Sequence, residues 1–162
     1  MNKVKQDKLL KLIFFLSIMG IILSGYLTYI HYSTSNNSVC DLNGTFQCSL
    51  VNRSQYAEMF GIPVALLGLL GYSFLGLISF SLFKKNILAR IRSKKILKKI
   101  VSARTLFVFS GIALTISLYL TYVEFFIIKA ICLVCAISQI TIIIITISSY
   151  KNLQLNKKIR GD

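Results

Sequence analysis

The sequence predicts an all-α integral membrane protein: a bundle of four transmembrane helices with one extracytoplasmic loop that carries a short helix. Three observations lead there. Of the 162 residues 55% are hydrophobic and 15% charged, at a mean hydropathy of +0.70, which is too few charges for a soluble domain of this length. The apolar residues gather into four runs, 12–32, 62–83, 105–128 and 130–150, each long enough to cross a bilayer core, which takes roughly 20 residues of helix. The cations avoid these runs, and the only formal charge inside any of them is Glu124.

Taken in order, the first run follows Lys3, Lys5, Lys8 and Lys11, which would suit a cleaved signal peptide. Its apolar stretch exceeds the 7–15 residues typical of a signal, and no A-x-A site follows, so it is read as a retained first helix. Residues 33–61 form the sizeable outer loop, polar and turn-rich at 33–38 and 41–44. Near its end Asn52 or Ser54 is suited to cap a short amphipathic helix with Met59 and Phe60 turned to the bundle. Gly61 is placed to end that helix and Pro63 to open the second transmembrane helix. Such a segment lies across the outer mouth of the bundle as a lid. Asn36, Asn43 and Asn52 each begin an N-x-S/T triplet, a pattern that arises readily in Asn-rich loops and carries no weight here.

Gly68, Gly71 and Gly76 in the second helix, with Gly20 and Gly25 in the first, suit close approach of membrane helices. The basic loop 84–104 intersperses Ile87, Leu88, Ile91, Ile96, Leu97, Ile100 and Val101 among its cations. That pattern fits either an amphipathic helix on anionic lipid or a solvated linker. The last two runs cannot be one helix. Residues 105–150 would extend about 69 Å at 1.5 Å per residue, over twice the roughly 30 Å hydrocarbon thickness. The chain must fold back near Glu124 and Lys129, two charges expected at the water interface.

The net charge of +14 does not point to nucleic acid, because its distribution has a simpler cause. Four Lys precede the first helix, nine Lys/Arg lie in 84–104, and four more lie in 151–162, making 17 of the 19 cations. Only Arg53 and Lys129 fall in the other segments. This is the positive-inside asymmetry. It predicts both termini in the cytoplasm and residues 151–162 as a frayed basic tail. The Lys-, Ile- and Asn-rich composition suggests an AT-rich genome and hence a prokaryote, so the membrane is read as a bacterial-type plasma membrane. Residues 1–162 are read as one membrane domain without internal repeats or a fused thioredoxin-like module.

All four cysteines fall on one side of that topology. Cys40 and Cys48 lie in the outer loop; Cys132 and Cys135 form a C-x-x-C where the fourth helix begins. At a helix N-terminus the unpaired N–H groups and the dipole stabilise a thiolate and activate it for exchange. Lys129 adds to this or serves as an interfacial anchor. The i, i+3 spacing brings both sulfurs to one helix face, close enough to bond. Cys135, one turn deeper, is placed to face an apolar ligand in the bundle, and Cys132 to face the loop. Two static disulfides would be ordinary in an exported loop, but a structural bond rarely takes C-x-x-C form. A four-cysteine zinc site needs C-x2–4-C on both halves, whereas Cys40 and Cys48 are eight apart. Inert buried thiols do not suit an interfacial position. A thiol–disulfide relay is the favoured reading.

The electrons of such a relay need a destination. No haem-ligating His pair, nucleotide fingerprint or flavin motif is present, and the lone His31 reads as an interfacial residue. A lipid-soluble quinone of ubiquinone or menaquinone type remains by elimination, with no metal. A quinone-linked generator of the disulfide-bond protein B type is disfavoured, since there the C-x-x-C comes in the first outer loop. A membrane assembly subunit stapled by two disulfides is the non-enzyme alternative.

The ordered set Cys40-x7-Cys48, Ser54, Phe60-Gly61-Ile62-Pro63, Gly68, Gly71-Tyr72 and Cys132-Leu133-Val134-Cys135 resembles the vitamin K epoxide reductase family in its short form, over nearly the whole chain. The resemblance implies a bundle enclosing a quinone, with Cys135 beside it, Cys132 exchanging with Cys48, and Cys40 facing a reduced thioredoxin-like partner. It implies that Ser54 lies near the redox centre and that Phe60 belongs to the lid. Vitamin K-type epoxide reduction is the alternative activity it carries. Four residues after the second cysteine many members have Tyr, whereas this chain has Gln139, an amide that can still hydrogen-bond a quinone carbonyl.

Overall fold

The computed structural model describes residues 2–33, 41, 48–59, 61–87 and 102–160. Cys40, Phe60 and the expected amphipathic segment at 88–101 lie outside the described residues. Among the described residues, four helices are long and apolar enough to cross a membrane: α1 (Asn2–Tyr32), α3 (Val64–Ile87), α4 (Ala103–Val123) with its continuation, and α5 (Leu133–Arg160).

Two helices run further than the apolar runs that identify them. Helix α1 takes in the lysines before residue 12, and α5 takes in 151–160. The expected frayed tail is therefore corrected. Apolarity marks where a helix meets lipid, whereas Lys, Arg, Gln and Leu sustain helix on either side of that boundary. The extensions are also packed together: Asn152 is buried, and its Oδ1 accepts from Gln6 Nε2 at 3.2 Å. Nearby Ser79 Oγ donates to Leu10 O at 2.7 Å. These bonds fasten α1 to α5 and α3 at the end of the bundle far from the cysteines.

Helix α1 packs extensively on α3, and α5 lies against both α1 and α4. One apolar cluster, with Leu10, Ile13, Leu75, Leu106 and Ile145, fills the centre and the far end. A second, with Leu27, Val51, Ala130 and Val134, fills the cysteine end. Large apolar side chains such as Phe15, Ile22, Leu70, Leu77, Ile112 and Phe126 point outward. Helices apolar on the outside as well as the inside belong in lipid.

The outer loop departs from expectation. A five-residue helix α2 (Cys48–Asn52) is followed by a 3-10 turn (Gln55–Ala57). Strands β1 (Glu58–Met59) and β2 (Ile62–Pro63) then pair antiparallel, Met59 opposite Ile62. The amphipathic helix expected from Asn52 or Ser54 to Gly61 is thus not formed. Gly61 reverses the chain inside a tight hairpin at φ 76°, a conformation glycine adopts without a Cβ penalty. Pro63 ends β2 immediately before α3.

The reversal before α5 comes at Lys129. Residues Glu124–Ile128 stay helical as a wide π turn, and Lys129, left-handed at φ 55°, ends the helix. Such a residue commonly closes a helix C-terminus. The chain turns after Lys129, within the stretch where a fold-back is expected, and Lys129 is exposed.

Candidate redox site

Cys132 caps α5. Its carbonyl accepts the first helical bond, from Ala136 N at 3.0 Å, and its Sγ accepts from Cys135 N at 3.2 Å. This is the geometry by which an N-cap side chain satisfies a free N–H, with sulfur in the place of oxygen. The i, i+3 spacing sets the two Cα atoms 5.1 Å apart, and Cys132 and Cys135 are joined by a disulfide. While that bond is closed neither sulfur supplies the thiolate that a metal ligand must be.

Glu124 corrects the expectation of an interfacial charge: it is 7% exposed. The π turn directs it back across the reversal. Its carboxylate is a hydrogen-bond acceptor for the backbone N–H of Cys132, a donor that the start of a helix leaves unsatisfied. Its oxygen and the sulfurs of Cys132 and Cys135 all lie within 4.8 Å of one another. A run of hydropathy places Glu124 near the end of a helix but cannot say which way it faces. Its spacing of eight residues from Cys132, across a turn, is the one sequence feature that hints at the contact.

Helix α2 carries Cys48 and is fastened at both ends. At its start Asp41 accepts from Ser49 N at 3.2 Å and from Ser49 Oγ. At its end Asn52 Nδ2 donates to Leu27 O, and His31 Nδ1 lies 2.8 Å from Asn52 O. Arg53 donates to the carbonyls of Ile30 and Ser33, which sets a cation at the C-terminal end of α1, where the helix dipole favours it. His31 Nε2 also lies 3.4 Å from Glu58 Oε1, so the lone histidine ties α1 to β1. Cys48, itself disulfide-bonded, is thereby held in the same buried cluster as Cys132.

Below the cysteines is a cavity of about 220 Å³, lined by α1, α3, α4, α5 and the loop. Its walls are mostly apolar. Cys135 forms part of the wall, with Glu124, Ser54, Ser138 and Tyr72 among the polar lining groups. Tyr72 reaches across from α3, its hydroxyl 3.0 Å from both the carbonyl and Oγ of Ser138. Gly20 permits that path: a Cβ there would fall under 3.0 Å from ring carbons of Tyr72.

The family model of the vitamin K epoxide reductase family matches residues 11–150. The chain belongs to that family. As a member of the vitamin K epoxide reductase family carrying four membrane-length helices, it is an integral membrane oxidoreductase of the thiol–disulfide kind.

Against that family frame, Cys132 and Cys135 come together as a bonded pair, and Cys48 comes to the same end. Ser54 lies on the cavity wall, its Oγ donating to Val51 O at 2.8 Å. Gln139 is elsewhere: its Oε1 accepts from Ser117 Oγ, joining α5 to α4. Ser138, its neighbour, is the residue at that depth that lines the cavity. Glu124, Tyr72, Ser138 and the tether formed by His31 and Asn52 are the parts of the site that sequence reasoning missed. Tyr72 was legible only as part of a motif, and Asn52 only as a candidate cap.

Proposed function

We propose that the chain carries electrons from a reduced thioredoxin-like protein through Cys40 and Cys48 to Cys132 and Cys135, and on to a quinone, so supporting disulfide formation outside the cytoplasm. One observation carries this reading. Cys48 and Cys132 share a buried cluster, while Cys135, bonded to Cys132, forms part of the wall of an apolar cavity. The C-x-x-C thus stands between a loop cysteine and a ligand-sized space. Exchange would proceed by thiolate attack through mixed disulfides, with Cys40 meeting the external partner.

The cavity suits a quinone ring. An apolar space of roughly 150 Å³ takes up benzene, and this one is about 220 Å³. Ser54, Ser138 and Tyr72 supply hydroxyls in a predominantly apolar lining, the pattern of a site that orients a small ligand by polar groups among apolar walls. A quinone bound there accepts two electrons and two protons. Gln139, held by Ser117, would support this wall from behind, and Phe60 would belong to the lid. The positive-inside asymmetry supports cytoplasmic termini and an extracytoplasmic cysteine end.

The test is quinone-dependent oxidation of a reduced thioredoxin-like protein by the purified chain, compared with its Cys132→Ala/Cys135→Ala variant. Turnover with ubiquinone or menaquinone analogues that vanishes in the double variant is the expected result. No turnover with either quinone, together with disulfides that resist mild reductant, would replace the relay with two structural staples.

A further inference from the structure

Breaking and remaking the Cys132–Cys135 bond requires a proton to be given and taken at sulfur, inside a pocket whose lining is mostly apolar. Among the described residues of that lining the ionisable groups are Glu124, Cys135, Tyr56 and Tyr72. Tyr72 is engaged with Ser138, and Tyr56 is about half exposed, on the 3-10 turn. Nearby, Lys129 is exposed on the reversal, His31 is engaged with Asn52 and Glu58, and Cys48 is disulfide-bonded. Glu124 alone combines a carboxylate, burial and a position within 4.8 Å of both sulfurs. Its carboxylate also accepts from the Cys132 N–H, which keeps it beside the pair.

We infer that Glu124 is the general acid and base of the C-x-x-C, exchanging a proton with the sulfur of Cys135. The inference rests on the redox reading of the C-x-x-C. In the opening step an incoming thiolate attacks Cys132 Sγ. A new S–S bond forms to Cys132, and the Cys132–Cys135 bond breaks. The electron pair leaves on Cys135 Sγ, and Glu124 in its acid form gives that sulfur a proton. The products are a mixed disulfide, a Cys135 thiol and a Glu124 carboxylate, so charge is conserved. Water at the cysteine end returns the proton to Glu124. In the reverse sense the carboxylate takes the Cys135 proton as the pair is oxidised. Among the described residues no other buried carboxylate stands beside the pair, so this exchange depends on one residue.

The test reads thiol exchange directly and needs no quinone. The rate of opening of Cys132–Cys135 by dithiothreitol is followed by alkylation in the full chain, in Glu124→Gln and in Glu124→Ala. Gln keeps an acceptor for the Cys132 N–H but has no proton to exchange. Opening is expected to slow about 100-fold in Glu124→Gln, the lower range of general acid–base effects, at an unchanged Tm. Formate is expected to restore part of the rate in Glu124→Ala, which chloride at equal ionic strength does not. An unchanged rate in Glu124→Gln overturns the inference. A slow rate that formate fails to restore also overturns it, and leaves Glu124 as a positioning residue for Cys132. If dithiothreitol exchange depends on Glu124 while the unaltered chain reduces no quinone, the relay fails and the role of Glu124 stands. Quinone turnover with a Glu124-independent exchange rate has the opposite meaning.

Discussion

Asn52→Ala isolates the fastening of the loop cysteine. Asn52 is 6% exposed, and its Nδ2 donates to Leu27 O. The neighbouring bond from His31 uses the Asn52 backbone carbonyl and survives the substitution. The change therefore removes one buried side-chain bond and the volume of one amide. A net hydrogen bond contributes about 0.5–1.5 kcal/mol, and deletion that strands a buried partner costs about 1–3 kcal/mol. Leu27 O lies within α1 and keeps its helical partner, so about 1.5 kcal/mol is the reasonable figure. Every 1.4 kcal/mol is tenfold. The population with α2 docked, and with it the effective concentration of Cys48 beside Cys132, is expected to fall roughly tenfold. The assay is the yield of Cys48–Cys132 mixed disulfide in a Cys135→Ala background, quenched by alkylation and resolved on non-reducing gels against a redox buffer series. A tenfold shift in the buffer ratio at half-trapping is expected. An unshifted midpoint would mean that Asn52 does not hold Cys48 in place, and the account of α2 as a tethered carrier would be wrong.

Two further outcomes follow from the same geometry. Cys135→Ala should abolish quinone reduction while accumulating the Cys48–Cys132 disulfide, measured by mass spectrometry of alkylated peptides; normal turnover would reject the order of the relay. Gly20→Ala should drive a methyl group into the Tyr72 ring, an overpacking cost of about 1–3 kcal/mol, read as a lower Tm in detergent. Wild-type thermal stability in that variant would show that α1 and α3 can separate freely.

Much of this was legible in the sequence for identifiable reasons. The four helices follow from length and apolarity, which the bilayer makes nearly compulsory. The convergence of Cys48, Cys132 and Cys135 follows from topology combined with i, i+3 spacing. Direction was the hidden quantity. Glu124 reads as an interfacial charge because hydropathy has no azimuth, and only the π turn aims it at Cys132. The segment after Asn52 carries helix-compatible residues, yet Gly61 makes it a hairpin, since two pairs of strand residues bond to each other. The end of α5 reads as a loose tail because the partner of Asn152 is Gln6, 146 residues away. Gln139 stands beside a lining position without being one, because adjacent residues on a helix do not share a face.

The bonds at the far end of the bundle, Ser79 to Leu10 and Gln6 to Asn152, give the molecule the mechanics of a lever with its pivot away from the work. Leu10 sits at that pivot and Leu27 beside the cysteines, separated along α1 by about 25 Å at 1.5 Å per residue. A tilt of α1 by about 2° at the pivot, too small to break a hydrogen bond there, becomes a displacement of about 0.9 Å at Leu27, where α1 meets the cysteine cluster. Leverage of this kind lets the cysteine end change its spacing while the far end keeps its register.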